Sequence, residues 1–489
     1  MLMTAEQYIQ SIRDLGKRNV YVMGEKVDNI VDHPMIRPSI NCCAMTYKLA
    51  EMPEYQDLMI TTSHITGKPI NRFTHMHQSV QDLITRIKTQ RLCGVMTGSC
   101  YQRCAGLDAM NATWGCTYEF DQKLGTEYHQ RFKKFVEYVQ ENDLVVAAAM
   151  TDPKGNRSLT PSKQADPDLF LRVVKEDDKG VYIKGAKMHL TGGLNSHYIL
   201  VFPTQNMGAS EKAYVIAGAV KADDPTITFI YGRQSCDTRK MEGGKQIDVG
   251  NQKYGGQETV TWFENTFIPW EHVFMYGETD MVGQLVERFA GYHRQSYAGC
   301  KSGNGDTLIG AAACIAEYNG VSNATHIKDK IIEMIHLNET LFSCGLGAGA
   351  AGGKTAAGNY MVDVTLANIC KHNVTRFPFE IARLAQDLAG GIMVTLPSEK
   401  DFNLPGQIGE ICKKVVSGDA KFPPEYRQRM LRFLEAMTLG SIAVGYLTES
   451  MHGAGSPQAQ RIMIQRGANL EAKKASARRL CGIDEDGLF

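Results

Sequence analysis

The chain has 489 residues with 53 basic and 53 acidic side chains, so its formal net charge is zero. This length supports two or three domains with substantial cores. The balanced charge gives no reason to expect nucleic acid or a membrane surface as a partner. No window is apolar over the length of a membrane span, and the start lacks an export signal. We therefore expect a cytoplasmic protein whose 13 cysteines are mostly thiols.

The first part of the chain predicts a helical domain over residues 1–144. Apolar residues recur at helical spacing in residues 8–15 and 80–87. Another helix with one apolar side is expected over residues 126–142. Residues 34–41 are expected to form an ordered loop. This domain is therefore predicted to consist mainly of helices.

The pattern changes near residue 145, and residues 145–280 predict a β-domain. A short apolar run is followed by a polar, turn-rich loop at residues 151–158. Several later stretches are rich in β-branched and aromatic residues, which favour strands. These predicted strands cover residues 180–191, 198–202, 213–220, 226–231 and 258–263.

Long periodic segments return at residue 281 and predict a helical bundle over residues 281–489. The predicted helices cover residues 282–297, 306–318, 326–344, 360–388 and 426–451, with a Gly/Ala-rich interruption at 345–353. The fold class is therefore α+β and mainly α. Its order is helices, a β-domain and then helices.

Soft metal ligands occur in two separate segments. Cys100 and Cys104 are four residues apart, and His293 and Cys300 are seven apart, so each pair shares a face if its segment is helical. If the two faces meet, three thiols and one imidazole converge on a metal centre. Structural zinc accepts the same donors. An iron–sulfur cluster suits ligands from separated helices. The iron bound by the imidazole could release that ligand, bind a substrate oxygen and act as a Lewis acid.

Each of these pairs, taken alone, is also typical of ordinary core residues. The ten remaining cysteines have no second ligand at persuasive spacing, and we interpret most of them as small buried apolar side chains.

Two nucleotide-binding motifs are not supported. The glycine-rich run at 345–355 has Ala348 where a phosphate loop needs glycine, and a helical pattern precedes it. Close helix packing or a bend is the better interpretation. No G-x-G-x-x-G follows an N-terminal strand, so a Rossmann site is not indicated. Residues 386–391 end a long helix with a glycine cap.

Four side chains are candidates for proton transfer. Tyr297 follows His293 by four residues and would face the same site. Lys301 follows Cys300 directly and would point about 100° away on a helix. Glu258 begins a predicted strand, and Glu449 lies late in a predicted helix. Solvated surface remains the alternative for each charged group.

Three segments together resemble the 4-hydroxybutyryl-CoA dehydratases of fermentative anaerobes. They are Cys-Tyr-Gln-Arg-Cys at 100–104, His-Arg-Gln-Ser-Tyr-Ala-Gly-Cys-Lys at 293–301 and Leu-Ala-Gly-Gly at 388–391. The resemblance covers the whole chain, including Met-His-Gly-Ala-Gly-Ser-Pro at 451–457. The broader family resembles the flavin-dependent 4-hydroxyphenylacetate 3-monooxygenases. Both have the acyl-CoA dehydrogenase fold, which implies a helical domain, a β-domain and a four-helix bundle.

The resemblance implies FAD and one [4Fe–4S] cluster as cofactors. The cluster ligands carried over by position are Cys100, Cys104, His293 and Cys300. The positions matching flavin-binding segments are Met150, Thr151, Asn156, Arg157, Ser158, His189, Thr191, Gln386, Asp387, Leu388, Ala389 and Gly390. The last five are expected to contact a neighbouring subunit's flavin, because the resemblance also implies a homotetramer.

The implied reaction is the reversible radical dehydration of 4-hydroxybutyryl-CoA to crotonyl-CoA, with isomerisation of vinylacetyl-CoA as a second activity. The hydrogen lost from C3 has no adjacent carbonyl to acidify it, so one-electron chemistry is expected. His293 is the first candidate for the base at C2, and Tyr297 would assist the departing oxygen. Glu258 and Glu449 would orient the base or transfer protons, and Lys301 completes the catalytic candidates. The alternatives are a flavin-dependent aromatic hydroxylase and a helical scaffold without cofactors.

Overall fold

The first helix begins at Thr4, whose side chain accepts a hydrogen bond from the backbone N–H of Gln7 while the Gln7 side chain caps Thr4 in return. The computed structural model describes residues 2–483. The helices of the N-terminal part are α1 (Ala5–Asp14), α2 (Arg37–Glu51), α3 (Gln56–Met59), α4 (Val80–Thr97), α5 (Cys104–Leu124) and α6 (Tyr128–Glu141). Its strands are β1 (Asn19–Val22), β2 (Glu25–Lys26), β3 (Ile60–Thr62) and β4 (Pro69–Asn71).

The helices predicted near residues 8–15, 80–87 and 126–142 are confirmed by α1, α4 and α6. The loop predicted at residues 34–41 is wrong in its second half, because α2 begins at Arg37. Pro38 misled the prediction. It lies in the first turn, where a helix tolerates proline because the backbone N–H has no partner within the helix there.

The middle part contains two sheets. Its strands are β5 (Val146–Ala149), β6 (Arg172–Glu176), β7 (Gly180–Thr191), β8 (Tyr198–Val201), β9 (Ile216–Lys221), β10 (Ile227–Tyr231), β11 (Glu258–Pro269) and β12 (Val273–Tyr276). The larger sheet has the order β2-β1-β10-β11-β7-β6, and the smaller has the order β12-β9-β8-β5. The five predicted strands are confirmed as β7 to β11, but two limits are wrong. Ala213 and Tyr214 end a 3₁₀ helix before β9, and β11 continues to Pro269.

An unexpected feature is that the N-terminal part contributes strands to the larger sheet. β1 pairs in parallel with β10, with Asn19 opposite Thr228. Val20 and Val22 are buried while Tyr21 between them is exposed, which is the alternation of a half-buried strand. The domain limits at 144 and 280 stay a prediction.

The C-terminal part is helical. Its helices are α7 (Val282–Tyr318), α8 (Thr325–Ala350), α9 (Val364–Val374), α10 (Phe377–Ala389), α11 (Glu399–Phe402), α12 (Gln407–Val416), α13 (Pro424–Thr438), α14 (Ser441–Ala443), α15 (Glu449–His452), α16 (Pro457–Gly467) and α17 (Leu470–Leu480). A short hairpin of β13 (Gly353–Lys354) and β14 (Tyr360–Met361) follows α8, and a π-helical turn spans Val444–Thr448. The predicted mainly α, α+β class is confirmed.

Four predictions for this part are wrong. The helix predicted at 426–451 is interrupted, because α13 ends at Thr438 and the π-helical turn precedes α15. The two helices predicted at 282–297 and 306–318 form one continuous helix, α7, because its internal glycines pack tightly instead of ending it. Residues 360–388 are divided by a break before Pro378. The predicted interruption at 345–353 begins only after Ala350. The close packing predicted for that run is confirmed, because a Cβ on Gly345 would lie 2.3 Å from the Cβ of Ala298.

Glycines bring α7 and α5 close to their neighbours. A Cβ on Gly303 would lie 2.2 Å from the carbonyl oxygen of Arg91, and one on Gly94 would lie 2.8 Å from that of Cys300. α4 and α7 therefore touch through their backbones beside Cys300. A Cβ on Gly106 would lie 1.8 Å from the carbonyl oxygen of Val146, so the first turn of α5 rests on β5. These contacts fix the helix turns that carry Cys300 and Cys104.

One helical stretch, Pro424–His452, is long and apolar enough to cross a membrane by length and composition alone. Half of its most apolar window is buried inside the fold. Leu431, Leu434 and Met437 on it belong to the bundle core, which accounts for its apolar character.

Candidate active site

Three buried thiols lie at the junction of the N-terminal helices and α7. Cys104 is the first residue of α5, and Cys300 lies within α7. Cys100 lies in the irregular segment before α5, so the expectation that Cys100 and Cys104 share one helix is wrong. Gln102 between them has a φ of 66°, a left-handed conformation that a helix does not contain.

The three thiols interact electrostatically with one another, so they are neighbours. Burial raises the pKa of Cys100 well above its usual value, and the charges of Glu449 and Cys104 raise it further. Burial and then Cys300 raise the pKa of Cys104 in the same way. Three such thiols cannot ionise together unless a positive charge lies between them. A metal centre supplies that charge, so the donor chemistry fits one.

The kind of metal centre is limited by geometry. Within residues 2–483, no three His, Cys, Asp and Glu side chains are placed to hold a single metal ion. These side chains therefore do not form a single-ion site, such as one for structural zinc, in the described part of the chain. The cluster itself remains a proposal.

His293 is held by a buried carboxylate. Its Nδ1 lies 2.8 Å from Oδ2 of Asp108, which is fully buried. Asp108 also contacts the Arg86 guanidinium and accepts a hydrogen bond of 2.8 Å from the Ser296 hydroxyl. A carboxylate on one nitrogen fixes the ring and leaves Nε2 available as a ligand or base.

The Tyr297 ring packs edge-on against the His293 ring, with centroids 5.0 Å apart. The ammonium groups of Lys301 and Lys371 lie 5.0 and 4.8 Å from the Tyr297 ring centroid. Burial raises the pKa of Tyr297 well above its usual value, and Glu449 raises it further. Tyr297 is therefore a neutral hydroxyl beside the imidazole.

Glu258, Glu449 and Lys301 form a second group at the same place. Lys301 Nζ lies 3.1 Å from Oε2 of Glu449 and also donates to the carbonyl of Gly445 in the π-helical turn. Burial raises the pKa of Glu258 well above its usual value, and Glu449 raises it further. Glu258 accepts a 2.6 Å hydrogen bond from the Thr191 hydroxyl, while its buried Oε2 has no partner among the described residues. The negative charge of Glu449 therefore opposes ionisation of Glu258.

The expected flavin loop lies at the end of β5. The Met150 carbonyl accepts a 2.9 Å hydrogen bond from Lys187 Nζ, and the Thr151 carbonyl accepts one of 2.8 Å from the Met188 N–H. Farther along, Asn156 Oδ1 accepts from the N–H and hydroxyl of Ser158. Arg157, between Asn156 and Ser158, is exposed and has no acidic partner in the described part of the chain. An ordered loop with a free guanidinium fits an anionic dinucleotide.

Two further flavin candidates lie beside the carboxyl pair. The Thr191 hydroxyl contacts Glu258. Burial lowers the pKa of His189, and the negative charge of Glu449 acts in the opposite direction. The structure therefore brings the end of β7 to the group of Glu258, Glu449 and Lys301.

The remaining flavin candidates, Gln386 to Gly390, end α10 elsewhere in the chain. Gly390 caps the helix with a φ of 76°, which confirms the predicted glycine cap. Asp387 pairs with Lys330 at 2.7 Å. Over residues 2–483, no hydrogen bond or ion pair joins this segment to residues 150–158.

Sequence reasoning missed three residues of this site. Asp108 follows Cys104 by four residues on α5, so helical spacing could have indicated it. Lys371 and Gly453 carried no such signal because they approach from distant segments. A Cβ on Gly453 would lie 1.7 Å from the Tyr297 hydroxyl oxygen, and Lys371 Nζ donates a 2.5 Å hydrogen bond to the Ser450 carbonyl.

Family models describe the whole of this architecture. The model for 4-hydroxyphenylacetate 3-hydroxylase N terminal matches residues 4–275, and the model for its C terminal matches residues 282–482. The fold is thus that of the 4-hydroxyphenylacetate 3-hydroxylase class. A 4-hydroxybutyryl-CoA dehydratase/vinylacetyl-CoA-Delta-isomerase from Clostridium aminobutyricum is 57% identical over 99% of this chain and 100% of its own. Within the class, the chain belongs to the family of that dehydratase/isomerase.

Solved structures agree with this placement. An oxygen-tolerant archaeal 4-hydroxybutyryl-CoA dehydratase from N. maritimus has a TM-score of 0.97 and 54% identity, covering 100% of this chain and 97% of its own. The oxygenase component of 4-hydroxyphenylacetate 3-monooxygenase, complexed with FAD, has a TM-score of 0.84 and 23% identity over 98% of both chains. The second likeness is one of fold alone.

Proposed function

We propose that this chain catalyses the reversible dehydration of 4-hydroxybutyryl-CoA to crotonyl-CoA and the isomerisation of vinylacetyl-CoA. Full-length identity of 57% to the dehydratase/isomerase supports the substrate. The observation that carries the proposal is that three buried thiols are neighbours, Cys100, Cys104 and Cys300. The charge of Asp108 acts on two of them, and Asp108 also holds the His293 imidazole. An aromatic hydroxylase has no use for that donor set.

The proposed cofactors are FAD and a [4Fe–4S] cluster. Cys100, Cys104, Cys300 and His293 would hold the cluster. When bound, the flavin supplies one-electron transfer and the cluster supplies a Lewis acid for the C4 oxygen.

His293 is the proposed base for the C2 proton, which the thioester carbonyl acidifies. Its Nδ1–H donates to Asp108, so Nε2 is the nitrogen that would ligate the cluster and, once released when substrate arrives, would take the proton. The Asp108 carboxylate then stabilises the imidazolium, as an orienting carboxylate does for a general base. The Tyr297 hydroxyl, neutral because of its raised pKa, donates a hydrogen bond to the C4 oxygen.

The second proton is handled by the carboxyl pair. The raised pKa of Glu258 favours its neutral carboxyl form, and Glu449 lies 3.1 Å from the Lys301 ammonium, so the pair is proposed to pass a proton. Burial of these groups excludes bulk water from the reacting carbons.

The flavin is proposed to lie along Met150, Thr151, Asn156, Arg157 and Ser158, with His189 and Thr191 beside its reactive end. The segment Gln386–Gly390 would contact the flavin of a neighbouring subunit in a homotetramer. The free state of the described cysteines supports a reducing cytoplasm as the compartment.

The test is anaerobic purification followed by analysis of iron, sulfide and flavin and an assay with 4-hydroxybutyryl-CoA. We expect about four irons per chain, bound flavin and formation of crotonyl-CoA. His293→Cys should keep a cluster and abolish dehydration, whereas Tyr297→Phe should keep both cofactors and lose most turnover. Absence of iron together with hydroxylation of 4-hydroxyphenylacetate by reduced flavin and oxygen would favour the hydroxylase alternative.

A further inference from the structure

Two cavities adjoin on the outer side of the π-helical turn Val444–Thr448. The larger has a volume of about 870 Å³, and its walls include Arg233, Phe379, Leu439, Leu447 and Thr448. The smaller has a volume of about 570 Å³ and includes Lys245. Arg239 lines both cavities, so they form one continuous depression.

One wall of the larger cavity is formed by the segment that leads to Glu449. Thr448, in its wall, directly precedes Glu449. Gly445 of the same turn lies on the other side, where a Cβ would be 3.8 Å from the Cβ of Cys100. The carbonyl of Gly445 accepts from Lys301. A single π-helical turn, a feature common at functional sites, therefore separates the cavity from the thiols.

The walls of the larger cavity combine exposed apolar side chains with polar ones such as Gln234, Thr238 and Ser441. Leu439 is 66% exposed and Phe379 is 37% exposed, and Leu447 lies on the turn beneath them. Large apolar side chains in a concave surface are typical of ligand sites. A flexible, mostly uncharged arm with a few amides fits these walls.

Charges of both signs line the depression, because Asp237, Glu242, Asp248 and Glu399 lie in its walls together with the basic groups. Arg233 and Lys245 have no acidic partner in the described part of the chain. Arg239, between them, is neutralised by Asp237 at 2.9 Å and Glu435 at 3.0 Å. An unpaired guanidinium and an unpaired ammonium are suited to phosphate groups.

We propose that this depression binds the coenzyme A part of the substrate, an inference that rests on the proposed function. The pantetheine arm lies against Phe379, Leu439 and Leu447. The phosphates lie at Arg233 and Lys245. The thioester end enters past Thr448, between the carboxyl pair and the thiols.

The test compares two substrates on the holoenzyme. Arg233→Gln should raise the KM for 4-hydroxybutyryl-CoA by roughly tenfold or more and leave kcat nearly unchanged, because it removes one charge-assisted phosphate contact. The KM for 4-hydroxybutyryl-pantetheine, which lacks the phosphates, should not change. Arg383→Gln is the matched control, since Arg383 is an exposed arginine on the same helix as Phe379 but outside the cavity. Equal effects on both substrates, or none on either, would overturn the phosphate assignment.

A second variant tests the apolar wall. Leu439→Glu should raise the KM for both substrates, because both carry the pantetheine arm, and its exposure makes a folding defect unexpected. Binding of coenzyme A itself, measured by calorimetry, separates this site from the proposed function. Binding that is weakened by Arg233→Gln in a protein without dehydratase activity would retain the site and reject the reaction. Binding unaffected by either variant would reject the site.

Discussion

Nδ1 of His293 lies 2.8 Å from Oδ2 of Asp108, and this contact joins the candidate catalytic helix α7 to the helix α5 that carries Cys104. Asp108 is fully buried and also contacts Arg86, so its position is fixed. The imidazole is thereby limited to one tautomer, with Nε2 available as a ligand or base.

We predict that Asp108→Asn lowers iron content or dehydratase activity by about ten- to a hundredfold, which is the usual effect of removing the partner of a ligating histidine. The amide can present its N–H to Nδ1 and so favours the wrong tautomer. Iron analysis and turnover with 4-hydroxybutyryl-CoA measure this effect.

Ser296→Ala is the control for Asp108→Asn. It removes a hydrogen bond to the same carboxylate but leaves the charge opposite His293. Its activity should stay within a fewfold of the parent. An Asp108→Asn protein that is folded, fully loaded with iron and fully active would show that the carboxylate does not matter to His293.

Gly453 gives a second prediction, because only a residue without Cβ fits beneath the Tyr297 hydroxyl. Its φ of −60° suits alanine, so Gly453→Ala meets no backbone strain. The new methyl would lie 1.7 Å from the hydroxyl oxygen and must displace the ring. We expect turnover to fall by at least about tenfold while flavin and iron remain, since a misplaced catalytic group costs rate more than binding. Gly310→Ala, where a Cβ meets nothing within 4 Å, should leave turnover unchanged.

The order of helices, strands and helices could be predicted because it depends on local periodicity. The limits of β7 at Gly180 and Thr191 were predicted to the residue, since alternation and turn residues mark both ends. The local sequence pattern did not predict helix limits that are set by tertiary contacts. Gly299 and Gly303 look like helix breakers in sequence, yet they are the positions at which α7 touches α4.

The candidate site was predictable in part for the same reason. Helical spacing relates Asp108 to Cys104 and Tyr297 to His293, because each pair is four residues apart. Lys371, by contrast, reaches Tyr297 only through the packing of α9 against α7. A single sequence contains no signal for such a contact.

Lys371 leads to a third prediction. It is buried, its ammonium has no carboxylate partner in the described residues, and burial together with Lys301 lowers its pKa to about 7. Because the folded pKa lies below the unfolded value, the unfolded chain binds more protons between about pH 7 and 10, so this group's contribution to stability rises with pH there. Lys371→Met should therefore raise the free energy of unfolding near pH 7 by an amount on the order of kcal/mol.

The same substitution should lower turnover, because it removes a positive charge from the Tyr297 ring and the hydrogen bond to the Ser450 carbonyl. Denaturant unfolding and kcat are measured together, with Lys371→Arg expected to recover part of the activity. Loss of stability with normal turnover would mark Lys371 as structural.

His197 gives the last prediction, an acid-dependent loss of stability remote from the proposed cofactors. Its Nδ1 accepts a 3.0 Å hydrogen bond from the Val145 N–H, and its Nε2 lies 2.9 Å from the Ser11 hydroxyl. Burial and then Arg103 lower the pKa of His197 to about 4. The unfolded chain therefore binds the extra proton between about pH 6.5 and 4, and stability falls by up to roughly 3 kcal/mol as pH drops through that window.

His197→Asn keeps an acceptor near Nδ1 and removes the titration. Its free energy of unfolding, measured by urea denaturation, should change less between about pH 7 and 4.5 than that of the parent. His336→Asn, on the exposed side of α8, should keep the parent's pH dependence. If His197→Asn retained the full acid dependence, the proton uptake would have to occur at other buried groups, such as His64, whose pKa burial lowers to about 4.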